Sequence, residues 1–331
     1  MNCCSACNED KGHIKKLGFG IADWIKALIS WVRSYRQTYD IDPSLYFTGK
    51  EYDINSPLLI TCNYHMTVFL LWRILKGRNV RILVIDTKGI NVWCSSGKGQ
   101  FSSKVIVDQL AKYDRKELTE TDKLEIILPK LSLSGVRLSE LKKARIIPKI
   151  GPIYAQSLPE YLDGEIIDCD EDHYKFNFRN RLFTLLPSFI QFTKYVLIAT
   201  VVLFLLNLIF NSGFWWQILP VSLSIPILYV VLFPLLPSKN FSFKGIVLFI
   251  FQILVLYLLL GSQIVDSSGY IITFHLLFYL STNIFFGLYY TGNTGVSNYS
   301  LVKKEIITFL PVVFVLYLGA LTMIILQGVL K

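Results

Sequence analysis

The chain has 331 residues, enough for two domains with sizeable cores, and 33 Lys and Arg against 24 Asp and Glu leave a formal net charge of +9. Charge is unevenly spread: up to about Arg181 apolar runs alternate with charged residues, whereas beyond Phe183 Leu, Ile, Val, Phe and Tyr dominate. A water-exposed second half is excluded by the apolar surface it would present, and no basic run interleaved with regularly spaced aromatics supports a nucleic-acid partner.

Residues 1–45 read as a cysteine-bearing tail and one amphipathic helix. The opening MNCCSACNEDKGH lacks the basic-then-apolar pattern of a signal peptide. The six cysteines, Cys3, Cys4, Cys7, Cys62, Cys94 and Cys169, all lie in the hydrophilic half. The charge pattern of the second half (below) puts that half in the cytosol, so metal binding or thiolate chemistry is expected rather than a disulfide framework. Between Ile14 and Val32, Leu17, Ile21, Trp24, Leu28 and Trp31 recur at spacings of four and three, predicting one apolar helical face that lies on a membrane surface or packs on the domain.

Residues 46–175 predict an α/β domain. LLITCN from Leu58, RILVIDT from Arg81, EIILPKL from Glu125 and ARIIPKI from Ala144 read as buried strands. MTVFLLWRIL, SKVIVDQLAKY and SLSGVRLSELKK read as the helices between them. The alternation implies a parallel, Rossmann-like sheet with helices on both faces, and such sheets bind ligands in the loops at the carboxyl ends of their strands. Two loops qualify: Asn63-Tyr64-His65, and Lys88 to Gly99. The second lacks the glycine and Lys-Ser/Thr spacing of a P-loop, because Val92 stands where the first glycine belongs and Gly99 follows Lys98. No GxGxxG follows a strand. The loop does offer Cys94 beside Trp93, followed by Ser95, Ser96 and Gly97, small residues that let a flat ligand approach the backbone. A short helix starting near Trp93 would stabilise a Cys94 thiolate with its free N–H groups. A structural cysteine packed under the loop is the other reading.

Residues 185–331 predict an all-α membrane domain of five spans, Phe189–Phe210, Phe214–Leu236, Ile246–Ile264, Tyr270–Tyr290 and Ile306–Gly328, each near the roughly 20 residues that cross a bilayer. Arg179 and Arg181 precede the first span and Lys194 lies near its N-terminal end, and Lys239 with Lys244, and Lys303 with Lys304, fall in alternate connectors. The positive-inside rule then places the N-terminal half in the cytoplasm and the C-terminus outside. Apart from Lys194 in the first turns of the first span, His275 is the ionisable residue inside a span and is expected to pack rather than relay protons, which makes the spans an anchor and docking platform.

The string NVWCSSGKG closely resembles the cap-helix signature of the HgcA family, the corrinoid proteins of microbial mercury methylation, which are related to the large subunit of the corrinoid iron–sulfur protein. Asn91, Val92, Trp93, Cys94, Ser96, Gly97 and Lys98 match that signature, and Thr61, Asn63 and Tyr64 match the strand-end motif of the same family. ILVIDTKGI, IGPIYAQSLPEYL and YYTGNTG with VKKE are also similar, so the resemblance spans nearly the whole chain after about residue 40. Ser95 departs from the usual Ala and adds a hydroxyl near the presumed corrin face. Cys62 and His65 depart from Ala and Lys and introduce a possible competing ligand.

The resemblance implies a corrinoid-dependent methyltransferase acting on Hg(II), with the Cys94 thiolate as lower axial ligand of the cobalt. It implies a cofactor pocket of Thr61, Asn63, Asn91, Val92, Trp93, Cys94, Ser95, Ser96, Gly97 and Lys98. A thiolate donates strongly to a metal, which suits transfer of a methyl group to an electrophile. Implied partners are the ferredoxin HgcB, as electron and Hg(II) donor, and a folate-linked methyl-donor protein. Cys3, Cys4 and Cys7, with His13 within reach as a fourth ligand, read either as an Hg(II) relay or as incidental residues of a tail. Two other readings stay open: a membrane-anchored corrinoid methyl carrier of one-carbon and acetyl-CoA metabolism, and a thiol metal-binding or transport protein without a corrinoid.

Overall fold

The computed structural model describes residues 13–33, 39–165, 174–210, 217–265, 267–294 and 299–330. Cys3, Cys4, Cys7 and Cys169 lie outside the described residues. The chain forms two compact units, Met1–Tyr174 and Lys175–Lys331.

The first unit is built on a six-stranded mixed sheet. Its elements run β1 (Ile14–Lys16), α1 (Ile21–Val32), β2 (Leu45–Phe47), β3 (Leu58–Cys62), α2 (His65–Ile74), β4 (Arg81–Ile85), α3 (Val92–Gly97), α4 (Ser103–Leu110), α5 (Arg115–Leu118), β5 (Leu124–Leu128), α6 (Leu138–Lys143), β6 (Ile146–Ile150) and α7 (Leu158–Leu162). Across the sheet the order is β1-β2-β4-β3-β5-β6. β3, β4, β5 and β6 are mutually parallel, and β2 runs antiparallel to β4. These four parallel strands are the four expected from the sequence. β3 and β4 are buried at every position, as strands covered on both faces must be. Leu58, Ile60 and Cys62 share one core with Ile106 and Leu110 of α4 and Leu141 of α6. Leu59, Ile82 and Val84 share another with Val68 of α2 and Leu158 of α7. From β3 the chain steps to β4 on one side and later to β5 on the other, so the topological switch point lies at the carboxyl end of β3, where such sheets take ligands.

Two local expectations are corrected. The helix expected from Ile14 begins at Ile21, and Ile14–Lys16 pairs instead with β2 at the sheet edge. The helix expected over 132–143 is broken: a 3-10 turn at Lys130–Ser132 runs into a further turn, and the backbone is extended at Arg137 before α6 begins at Leu138. The predicted face of α1 also splits. Leu17 and Trp31 pack inward with Ala27 and Ser30, whereas Ile21 is 84% exposed and Trp24, Ile25 and Leu28 are about half exposed.

The second unit holds α8 (Phe178–Phe210), α9 (Ile218–Leu232), α10 (Phe241–Val265), α11 (Gly269–Thr291) and α12 (Tyr299–Val329). Four of them, α8, α10, α11 and α12, are long and apolar enough to cross a membrane. α9 has 15 helical residues, about 22 Å, short of a full crossing by itself. Thr184 of α8 bonds the Tyr290 hydroxyl of α11 at 2.7 Å, and Glu305 of α12 accepts the Ser242 N–H of α10 at 2.5 Å. Gly287 of α11 lies against Phe241 and Ser242. The starts of α8, α10 and α12 and the end of α11 therefore share one end of the bundle. His275 bonds its own helix, Nδ1 to the Ile271 carbonyl at 2.9 Å, as a packing histidine does.

Candidate functional site

Cys94 sits on α3, the short helix that opens the connection after β4. Asn91 is its N-cap: backbone extended, side-chain oxygen accepting the Cys94 N–H at 2.9 Å. Asn and Asp are favoured there because a short side chain reaches the free N–H groups of the first turn. Ser95 donates at 2.7 Å to the Asn91 carbonyl, and Ser96 at 2.7 Å to the Val92 carbonyl. Both hydroxyls are thus spent on the backbone of their own helix. Val92, Ser95 and Ser96 are buried, Trp93 and Cys94 are half-buried, and Gly97 and Lys98 are exposed. The helix therefore turns an inner face of Val92, Ser95 and Ser96 to the core and an open face of Trp93, Cys94, Gly97 and Lys98 outward.

The inner face is held by an unusually close approach. A Cβ on Gly135 would stand 2.7 Å from the Ser96 carbonyl oxygen and 2.9 Å from its Cα, and closer still to the Phe101 carbonyl. Only a glycine lets the segment after the 3-10 turn lie under α3.

Asn63, at the carboxyl end of β3, fastens the loop leading into α3. Its side-chain oxygen accepts the Thr87 N–H at 3.0 Å and the Gly89 N–H at 2.9 Å, and the Thr87 hydroxyl lies 2.8 Å away. Its amide NH₂ faces Asp86 Oδ1 at 3.4 Å. Asp86 in turn accepts the Lys88 N–H at 2.8 Å, where the chain turns through positive φ at Lys88 and Gly89. Asn63 is 2% exposed, so its reach to a ligand runs through this loop. Thr61 is buried inside β3, opposite Val84.

Burial pushes the Cys94 thiol up, and Lys98 and Asn91 pull it partly back. Desolvation is the largest influence on this thiol and disfavours its thiolate form. Cys62 and His65, the two departures at the end of β3, are both buried. Cys62 is wholly buried, with its thiol raised by that burial. His65 is 3% exposed, its Nε2 3.0 Å from Asp23 Oδ1, and its ring lies against Phe19 and stacks on Phe69.

No protein-family profile matches the chain. Over 130 residues it is 28% identical to the acetyl-CoA decarbonylase/synthase complex subunit gamma of Methanothermobacter thermautotrophicus, a match covering 39% of this chain and 28% of that one. Over 87 residues it is 31% identical to the same subunit of Methanopyrus kandleri, covering 26% of this chain and 19% of that one. The matches span only a minor part of these relatives' length.

Sequence reasoning missed Gly135, Asp86 and Thr87. The DT before Lys88-Gly89 was a usable turn signal. Gly135 had none, because a glycine's neighbours across a fold leave no trace in local pattern.

Proposed function

We propose that this protein is a membrane-anchored, corrinoid-dependent methyltransferase that passes a methyl group from its corrinoid to Hg(II), with Cys94 as the residue whose thiolate would hold the cobalt. The observation that carries the reading is Cys94 on the open face of a capped helix beside the switch point of the sheet, within NVWCSSGKG. The donor set fits the group. Among the described residues no three His, Cys, Asp or Glu side chains gather as a metal cluster, and one soft thiolate suits a metal whose other positions are filled by a macrocycle. When bound, the corrinoid supplies a cobalt–carbon bond whose methyl group can be transferred.

The chain's own residues then divide the work. Cys94 would hold the cobalt through its sulfur, giving up its thiol proton to the medium, and a corrinoid held there would supply a methyl group to an electrophile such as Hg(II). Asn91 fixes the turn that carries the sulfur, Val92, Ser95 and Ser96 anchor the helix, Trp93 flanks the thiol, and Gly97 leaves room beside it. Lys98 offsets the burial cost of the thiolate. Asn63 supports the loop from the end of β3, within which Thr61 is buried. HgcB is the proposed reductant and Hg(II) donor, and a folate-linked protein the methyl source. α9 with its flanking residues makes a fifth crossing, which with the positive-inside pattern puts the first unit in the cytoplasm and the C-terminus outside.

The similarity to gamma subunits of acetyl-CoA decarbonylase/synthase complexes favours a second reading, a membrane-anchored corrinoid methyl carrier of one-carbon and acetyl-CoA metabolism. One experiment separates them. The full chain in detergent is loaded with methylcobalamin, its visible spectrum is compared with that of Cys94→Ala, and Hg(II) is then added under reducing conditions. A band shift that needs Cys94, followed by methylmercury detected by mass spectrometry, supports the first reading. A Cys94-dependent shift without methylmercury supports the carrier. Identical spectra remove the axial ligand and both readings of Cys94 with it.

A further inference from the structure

In the second unit α8 and α12 touch at their carboxyl ends and splay apart before them. Gly328 of α12 sits directly against the ring and Cβ of Phe210. Toward their starts, a stripe on α8 (Phe192 to Leu206) faces a stripe on α12 (Ile306 to Leu321) across a cavity of about 890 Å³, with Phe274, Phe278, Thr282 and Phe285 of α11 as its floor. The α8 stripe runs about 21 Å along the helix axis. At the mouth, Ile198, Ile307 and Phe314 are each 64% exposed, whereas Val196, Leu203, Phe278 and Val313 in the walls are buried.

Among the described residues the lining has no charged side chain. Its polar groups are hydroxyls, and those of Thr282 and Tyr317 satisfy each other at 3.0 Å. An ion or a phosphate-bearing headgroup would lose its hydration there without compensation, at a cost of many kcal/mol. A flexible hydrocarbon chain does fit, since cavities of about 300–1,000 Å³ suit single small ligands. The walls belong to helices apolar enough to cross a membrane, so the mouth between α8 and α12 opens on the hydrocarbon itself.

We propose that this wedge is a binding site for the acyl chain of one bilayer phospholipid, which inserts between α8 and α12 against α11 and completes the packing of the unit. The site is independent of the chemistry at Cys94.

The full chain is reconstituted into phosphatidylcholine nanodiscs carrying a phosphatidylcholine with a diazirine in one acyl chain, irradiated, and mapped by peptide mass spectrometry. Leu258 and Leu259 of α10, each 73% exposed, report ordinary boundary lipid and correct insertion. The expected result is labelling of the buried wall residues Val196, Leu203, Phe278 or Val313 as strong as at Leu258 and Leu259. Ala320→Phe, which fills the wedge, should cut the wall labels at least fivefold and leave the α10 labels unchanged. The milder Ala199→Leu should give an intermediate loss. Wild-type labels confined to α10 and the mouth would overturn the proposal without reference to any variant. So would wall labelling obtained only with a diazirine-bearing isoprenoid probe at the same mole fraction, which would assign the site to a prenyl chain.

Discussion

The side-chain oxygen of Asn91 accepts the backbone N–H of Cys94 at 2.9 Å, so the residue that starts α3 also fixes the turn from which the sulfur projects. Replacing Asn91 by Ala removes the cap and should cost about 1 kcal/mol of stability. It should also weaken the Cys94-dependent shift in the cobalamin spectrum. Asn91→Asp keeps the cap but sets a carboxylate beside the sulfur. It should leave thermal stability near wild type while making thiolate ligation harder at neutral pH. Melting curves and cobalamin titrations of the two variants check this, and equal spectra in both would detach Asn91 from the site.

Gly135→Ala should act on α3 from below. The new Cβ would meet the Ser96 backbone at 2.7–2.9 Å, and backbone cannot swing aside as a flexible side chain can. An overpacked contact of this kind costs about 1–3 kcal/mol. Because the strain falls on the inner face of α3, alkylation of Cys94 by iodoacetamide should change in rate along with the lowered melting temperature. A stable variant with wild-type alkylation kinetics would show that the segment shifts without moving α3.

Arg81 is 5% exposed, and its guanidinium donates to the Ser56 carbonyl at 2.7 and 2.9 Å and to the Leu118 carbonyl at 2.6 Å. It ties the start of β4 to the segment before β3 and to the end of α5. Arg81→Met strands two carbonyls in the interior and should cost on the order of 3 kcal/mol. Arg81→Lys recovers only part, since an ammonium cannot reproduce the planar fork. Chemical denaturation of the three proteins gives the order directly.

The four parallel strands were legible because each is a short branched apolar run bounded by polar residues, and the loop after β4 stood out because it sets Cys94 beside Trp93 and a run of small residues. β1 and β2 escaped: three residues each are too few for a period, and their pairing is decided by the neighbouring strand edge. The face of α1 was found but not its use, because spacing reports which residues align and not which partner covers them. In the second unit the apolar runs announced the helices. The buried Glu305 and Lys244 did not stand out, because their partners, the Ser242 N–H and the carbonyls of Phe233 and Leu236, are backbone groups brought close only by the bundle.

The pairing of Asp23 with His65 gives the first unit an acid-sensitive contact. Asp23 accepts the Gly20 N–H at 2.9 Å, and with His65 Nε2 at 3.0 Å and Lys26 Nζ at 3.2 Å around it the carboxyl is held down at about 2 against an ordinary 3.8. A carboxyl lowered in the folded state adds stability that is fully present above its unfolded value and is lost as pH falls through the folded one. Asp23 should therefore support α1 on α2 above about pH 4 and cease to do so between about pH 4 and pH 2. Asp23→Asn keeps an acceptor for the Gly20 N–H but carries no charge. The gap in melting temperature between wild type and Asp23→Asn should be widest near neutral pH and shrink steadily as pH falls from 4 toward 2. A gap that stays constant through that window would mean that the ionised carboxylate adds nothing beyond its hydrogen bonds.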